Sequence, residues 1–401
     1  MSIFSKGLSL LTKWDKRWQH QPLISAIYTT YRKIFTILVI DVYAHIIALL
    51  FLLPNALFPT ILDYQLPFYT PIVQNVVLII DIITMTFFST LLAKEYYQRR
   101  RPDHDATLIM MTMFYSTMTS FQNQNNFNVI LIKNYFILIL LVYAVVNSYI
   151  LYQKLLKQPQ NPLSFANIGW AAIIITIATV LKPFLHSAAL QATINQYLSS
   201  SIFNHIPAIL IFALILPLLS WIGISIPSDL LVSQASATAI SENLNFFLTK
   251  HTTAHIPYPI NLYNTFSMFS IVGGLALCLL LLFRSRNIGD QRLGQWSLLP
   301  SLFNNHQLLL FAYPLLLRPL FLIPMLVSPV VTTSLGYLAV KLHVITIPVY
   351  QVPLSTPYLI RAYLATNGNL IALAVSILLI IVSVLIYLPF FNIAMKSQKE
   401  S

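Results

Sequence analysis

Long runs of apolar residues, separated by short polar and basic stretches, set the rhythm of this chain. Windows of about 20 apolar residues match an α-helix that crosses a bilayer, whereas barrel strands alternate over about ten. In the first part the pattern predicts spans at about 34–58, at Ile72–Leu92, at about 106–121 and at Tyr135–Tyr152. Residues 3–28 precede them and are basic and aromatic, with Trp14 and Trp18. They read as a helix lying in the headgroup region, although an ordinary lead-in to the first span fits equally. No cleavable leader is expected, because residues 1–33 lack both a continuous apolar core and a small-residue cleavage site. The polar stretch Gln158-Pro159-Gln160-Asn161-Pro162 separates this half from the next.

The second half is less regular. Ile168–Leu181 is short for a span unless Lys182 snorkels. Ile206–Ile226 and Phe266–Phe283 are predicted to cross, with a mixed polar region between them, and Leu370–Phe391 forms the last span. Leu308–Val340 is apolar but carries Pro314, Pro319, Pro324 and Pro329. Each proline removes a backbone donor and crowds the preceding turn. Two readings fit: a kinked helix in a packed bundle, or an interrupted helix lining a substrate cavity. The prolines alone do not choose. The expected architecture is all-α and polytopic, with about ten transmembrane helices and broken or re-entrant helices in the second half. Residues 1–33 would form a basic amphipathic segment, 34–165 a first transmembrane half and 166–401 a second.

Composition sharpens this picture. The chain of 401 residues is 57% hydrophobic and 8% charged, against about a quarter charged in soluble domains. The net charge of +12 would suit nucleic acid, but its distribution excludes that partner. Basic residues gather at Lys6–Lys33, Arg99–Arg101, Lys154 and Lys157, Arg284–Arg292, and Lys396 and Lys399, each beside an apolar run. That is the positive-inside pattern, and it places these loops and both termini in the cytoplasm. Cys278, the lone cysteine, lies inside an apolar run and reads as a packing residue. Asp41, His45, Asp81, Lys182, His186 and Arg318 lie in apolar surroundings, so each is expected to face protein rather than lipid. Arg318 in particular needs a carboxylate, backbone carbonyls or a polar ligand. No phosphate-binding loop, dinucleotide fingerprint, zinc-protease helix or nucleophile elbow is found, and no cofactor is expected. His251 and His255 have metal-compatible spacing but are followed by Pro257 and Pro259, a weak signal, and no metal is expected there.

One stretch carries a family resemblance. PSLFNNHQLLLFAYPLLLRPLFLIP, residues 300–324, resembles the signature of the enzyme IIC sugar permeases of the bacterial phosphotransferase system, lactose/cellobiose/diacetylchitobiose family. That family reads P-G-L-F-N-I-N-E-P-V-I-F-G-L-P-I-V-L-N-P, followed by a further apolar-Pro step. Pro300, Leu302, Phe303, Asn304, Phe311, Pro314, Pro319 and Pro324 match in register without a gap. Leu92–Tyr96, Gly273-Gly274, Leu293-Gly294, Val352–Pro357 and Tyr387–Phe390 resemble further family segments in the same order. The likeness covers about 30–392.

The departures bear on chemistry. Where the family has a glutamate beside the phosphorylated sugar hydroxyl, this chain has Gln307, preceded by His306 and followed by Leu308. The family's W-F-F-G-I-H-G segment falls on Ser220–Ile226, which places Ser225 at its histidine, and Arg318 replaces an asparagine. A carboxylate can take a hydroxyl proton; an amide cannot. The resemblance implies a sugar permease of the bacterial cytoplasmic membrane. It would take a β-linked disaccharide or oligosaccharide, work as a homodimer, and receive phosphate from a separate enzyme IIB. Ser225, Asn304, His306, Gln307 and Arg318 would contact the sugar. The alternative is a degenerate paralogue acting as a facilitator, a sensor or a partner of a membrane complex, and whether the chain is an enzyme turns on that choice.

Overall fold

The computed structural model describes residues 3–52, 56–63, 70–121, 133–156, 165–180, 196–226, 228–313, 315–353 and 356–399. Lys182, His186 and Pro314 lie outside them. Helices dominate. Among the described residues, five stretches are long and apolar enough to cross a membrane: Phe35–Leu62, Asn75–Arg100, Tyr135–Leu155, Pro319–Lys341 and Leu370–Ser397. Phe165–Val180, Ile206–Ile222 and Gly274–Arg284 are shorter apolar helices.

The long helices are inside-out relative to those of soluble proteins. In α5 (Thr70–Arg100), Asp81, Thr84 and Ser89 are buried while Ile72, Ile79 and Phe87 are exposed. In α15 (Pro319–Lys341), Ser328, Thr332 and Thr333 are buried while Ile323, Val327 and Leu338 are exposed. In α17 (Leu370–Lys399), Ser376 and Ser383 point inward while Ile377, Leu378 and Leu385 point out. Small polar residues between helices and aliphatic residues outside are what lipid demands, because hydrocarbon does not drive apolar side chains inward. The protein is a multi-pass integral membrane protein.

The N-terminal segment is two helices, α1 (Ile3–Gln19) and α2 (Pro22–Lys33). Pro22 at the first position of α2 accounts for the break, since its missing N–H costs nothing there. The first span then begins as α3 (Phe35–Ile47), loosens into a π-turn at Ala48–Leu52, and resumes as the short α4 (Leu57–Leu62). Beyond α5 come α6 (Thr107–Phe121), α7 (Tyr135–Leu156) and α8 (Phe165–Val180). Lys33 and Arg99 both pair with Glu95, which ties α2 to the end of α5.

Two expected spans are corrected. The helix starting at Ile206, α9, stops at Ile222 instead of continuing to Ile226. Gly223 adopts a left-handed backbone (φ 101°), as a helix-ending glycine does, and Ile224–Ser225 becomes a short strand, β2, antiparallel to β1 at Lys133–Asn134. Phe266–Phe283 is likewise not one helix. A π-turn at Leu262–Ser267 gives way near Ser270, and α12 begins only at Gly274 (Gly274–Arg284). Gly273 is left-handed (φ 93°), and a side chain there would collide with Tyr387.

The region between them holds α10 (Ser228–Ala235) and α11 (Ala237–Lys250). After α12 come α13 (Ile288–Leu302), α14 (Gln307–Ala312), α15, α16 (Tyr358–Ala365) and α17. Of the four prolines expected to break this stretch, Pro319 starts α15, and Pro324 and Pro329 lie within it. Cys278 is buried and its thiol donates to the Gly294 carbonyl.

Buried side chains form two clusters. One joins α2, α3, α5 and α7 to Ala276–Leu281, Leu308–Met325 and Tyr387–Ala394. At its centre Tyr31 stacks between Phe88 and Phe311, with ring centroids 4.7 and 4.6 Å away. The other gathers α9, the 262–271 segment, α16 and the first turns of α17.

Candidate functional site

The 300–318 segment is shaped by local turns. α13 ends at Leu302, and Asn304 takes a left-handed conformation (φ 59°), which asparagine tolerates better than most residues. The Asn305 side chain accepts from the Gln307 backbone N–H at 3.1 Å and starts α14. Leu317, also left-handed (φ 54°), turns the chain into Pro319.

Folding brings Ser225 to Gln307. The Gln307 Nε2 donates to Ser225 Oγ at 3.1 Å across 82 residues of sequence. Neighbouring bonds hold the two segments together: Leu317 N–H donates to Trp221 O at 2.9 Å, and Trp221 Nε1 donates to Arg318 O at 2.9 Å. Gly223 is packed beneath Tyr135 and Phe136, and its carbonyl accepts from Tyr135 N–H at 2.9 Å. A side chain at Gly223 would press on the Phe136 backbone at 3.2 Å. Ser225 and Gln307 are both half-buried, so each can offer a hydroxyl or amide to a polyol.

His306 lies beside Gln307 in a tighter place. Its Cβ would be 2.5 Å from a Cβ on Gly274, so the backbones approach only because Gly274 has none. A backbone bond with Asn304 engages the ring, while Nε2 is buried and has no hydrogen-bond partner among the described residues. Burial pushes the imidazole pKa below its ordinary value, against a smaller opposing effect of the Asn304 bond. The ring is therefore neutral near pH 7, and Nε2 carries a lone pair.

Arg318 is placed differently. Its Nε donates to Asp15 Oδ2 at 3.1 Å, with both side chains 3% exposed, and its guanidinium lies 5.1 Å from the Phe321 ring centre. The other Asp15 oxygen accepts from Leu320 N–H at 3.4 Å. The carboxylate that a buried guanidinium requires comes from α1, a residue the pattern of apolar runs did not single out. Asp15 stands among Lys13, Lys16 and Arg17 in the sequence, and only its being acidic in a basic segment could have marked it.

His251 and His255 do not share a helix face. α11 ends at Lys250, and both histidines have left-handed backbones (φ 52° and 63°). Beside the basic loop, Phe283–Asn287, Asp290, Asn392, Met395 and Lys396 line a cavity of about 820 Å³.

Comparison with known proteins finds similarity over part of the chain. A putative permease IIC component, YwbA of Bacillus subtilis (strain 168), is 32% identical over 133 residues, which is 32% of this chain and 30% of that protein. A cellobiose-specific EIIC component of the phosphotransferase system from Geobacillus stearothermophilus is 35% identical over 133 residues, with the same shares. The chain is a divergent relative of the phosphotransferase-system IIC permeases. The match spans under a third of those IIC proteins' length, and no family model matches the chain. The crystal structure of ChbC, the IIC component of the N,N'-diacetylchitobiose-specific system, aligns over 95% of both chains at 20% identity and a TM-score of 0.42. So loose a superposition says nothing further about this IIC relative.

Proposed function

We propose that this chain is a IIC-type sugar permease that binds a β-linked disaccharide or oligosaccharide at the Ser225–Gln307 junction and carries it across the bacterial cytoplasmic membrane. The observation that carries this reading is the Gln307–Ser225 hydrogen bond. It joins the two positions where the chain departs from the family's sugar-facing residues, and His306 is the neighbour of Gln307 in the sequence. The relatives' names, cellobiose-specific EIIC and lichenan permease, support a β-glucoside as the first substrate to try. Asn304 would add an amide at the same turn, whereas Arg318, occupied by Asp15, would hold the loop in place.

Phosphate would arrive from a IIB partner in trans, for which the cavity beside Arg284 and Lys396 is the natural approach. As a sugar hydroxyl attacks the phosphoryl group, its proton must go to a base. Gln307 has no basic atom, and the neutral His306 Nε2 is suited to the task. About ten membrane helices, cytoplasmic termini and a homodimer built on the 34–165 half, with 166–401 as the moving half, complete the reading.

The test is uptake of labelled cellobiose and related β-disaccharides in cells lacking their own system, with IIB supplied, and separation of free sugar from sugar phosphate. Sugar phosphate is expected. Gln307→Ala should reduce it with total uptake, and His306→Gln should lower it about 100-fold while free sugar still enters. Free sugar alone from the unaltered protein overturns the phosphotransfer step, and no uptake by correctly inserted protein overturns the permease reading.

A further inference from the structure

We propose that Asp41, His45 and Asp81 bind one divalent transition-metal cation, of the zinc or manganese class, between the first two membrane helices. Asp41 and His45 are one turn apart on α3, and Asp81 comes from α5, which packs along it. The two carboxylates are 1% and 3% exposed. His45 Nδ1 is 3.4 Å from Asp41 Oδ1, and Nε2 is 3.3 Å from Asp81 Oδ2. One ligand atom from each of the three residues lies within 4.8 Å of the other two.

The tautomer follows from a fourth contact. His45 Nδ1 is 2.9 Å from the Asp41 backbone carbonyl, and a carbonyl only accepts, so the proton is on Nδ1. Nε2 then faces Asp81 Oδ2 at 3.3 Å, where a cation, proton or metal, holds the two together. An imidazole held by a backbone carbonyl at one nitrogen, with a carboxylate facing the other, is how proteins orient a metal-binding histidine.

Two carboxylates, a neutral imidazole and a dication sum to zero charge. An isolated charge is costly at this depth. A second observation points to the same place. Tyr135, at the start of α7, is fully buried, and its hydroxyl has no hydrogen-bond partner among the described residues. Both carboxylates are its charged neighbours, so an oxygen donor stands unused near the cluster. Tetrahedral bonds of about 2.1 Å put ligand atoms about 3.4 Å apart; His45 Nε2 and Asp81 Oδ2 already have that spacing, and side-chain rotation on the order of 1 Å brings in the third ligand. One nitrogen and two carboxylates suit zinc or manganese better than calcium or magnesium, which take oxygen ligands.

The proposal is independent of the sugar reading and is tested on the full-length protein in detergent, without a histidine tag, after chelator treatment. Zinc, manganese or cobalt would be added singly, followed by desalting, elemental analysis and thermal unfolding. The unaltered protein is expected to retain about one ion per chain and to unfold at a higher temperature with metal than without. Cobalt should add visible absorption bands. Asp81→Asn should lose the ion and the shift while matching the unaltered protein in chelator; Asp41→Asn serves if that variant does not fold. An unfolding temperature unmoved by all three metals, with less than a tenth of an ion retained, overturns the site. So does an ion that the folded variant keeps equally well, or a midpoint that follows pH in chelator and ignores metal.

Discussion

A methyl group on Gly274 would sit 2.5 Å from the Cβ of His306, a separation that no pair of real carbons keeps. Gly274→Ala is therefore expected to push the His306 turn away from α12 and to lower stability by about 1–3 kcal/mol, read as a fall in the thermal midpoint. Gly223→Ala should also be unfavourable, because a left-handed backbone and the Phe136 backbone both oppose a side chain there. His306 gives a pH signature. Its pKa is depressed in the folded state by burial, so the stability it contributes is complete above the unfolded value near 6.5. That contribution falls as pH drops from there toward the folded value, since the unfolded chain binds the proton first. Midpoints measured from pH 7.5 to 5 should decline for the unaltered protein and decline less for His306→Gln.

At the scale of elements, the interrupted segment at 270–273 shows how a helix break survives inside a membrane protein. Every backbone group released there must find a partner, because lipid supplies none. Thr332 Oγ1 accepts from Ile271 N–H at 3.0 Å, and Ser328 Oγ donates to Ile271 O at 2.9 Å. Tyr387, Tyr358 and Arg361 donate to the carbonyls of Val272, Phe269 and Ser267. Thr332→Val keeps shape but strands the Ile271 N–H, and should cost about 1–3 kcal/mol in thermal or denaturant unfolding. The apolar run Phe266–Phe283 concealed this break, since hydropathy measures transfer to lipid and is blind to a left-handed glycine. The prolines left a kinked and an interrupted helix open, and Pro324 and Pro329 lie in a continuous helix.

For the whole molecule, the Asp15–Arg318 pair ties the N-terminal helix to a loop 303 residues away. Removing one partner leaves a buried charge and should cost about 3–5 kcal/mol, whereas replacing both with apolar residues should recover much of that. Unfolding of Asp15→Leu, Arg318→Met and the double variant would test this, and a double variant as unstable as the worse single variant would contradict it. Sequence alone determined that the chain is helical and lives in a membrane, because apolar run length and sparse charge are sums over residues and need no contacts. It also marked Gln307, Ser225 and His306, since a motif in register survives as text. Tertiary structure decided what these residues touch. The Gln307–Ser225 bond, the counterion of Arg318 and the Asp41–His45–Asp81 cluster each join distant segments. Hydropathy and spacing describe neighbours along the chain, and the partner of a buried polar group is chosen by packing in space.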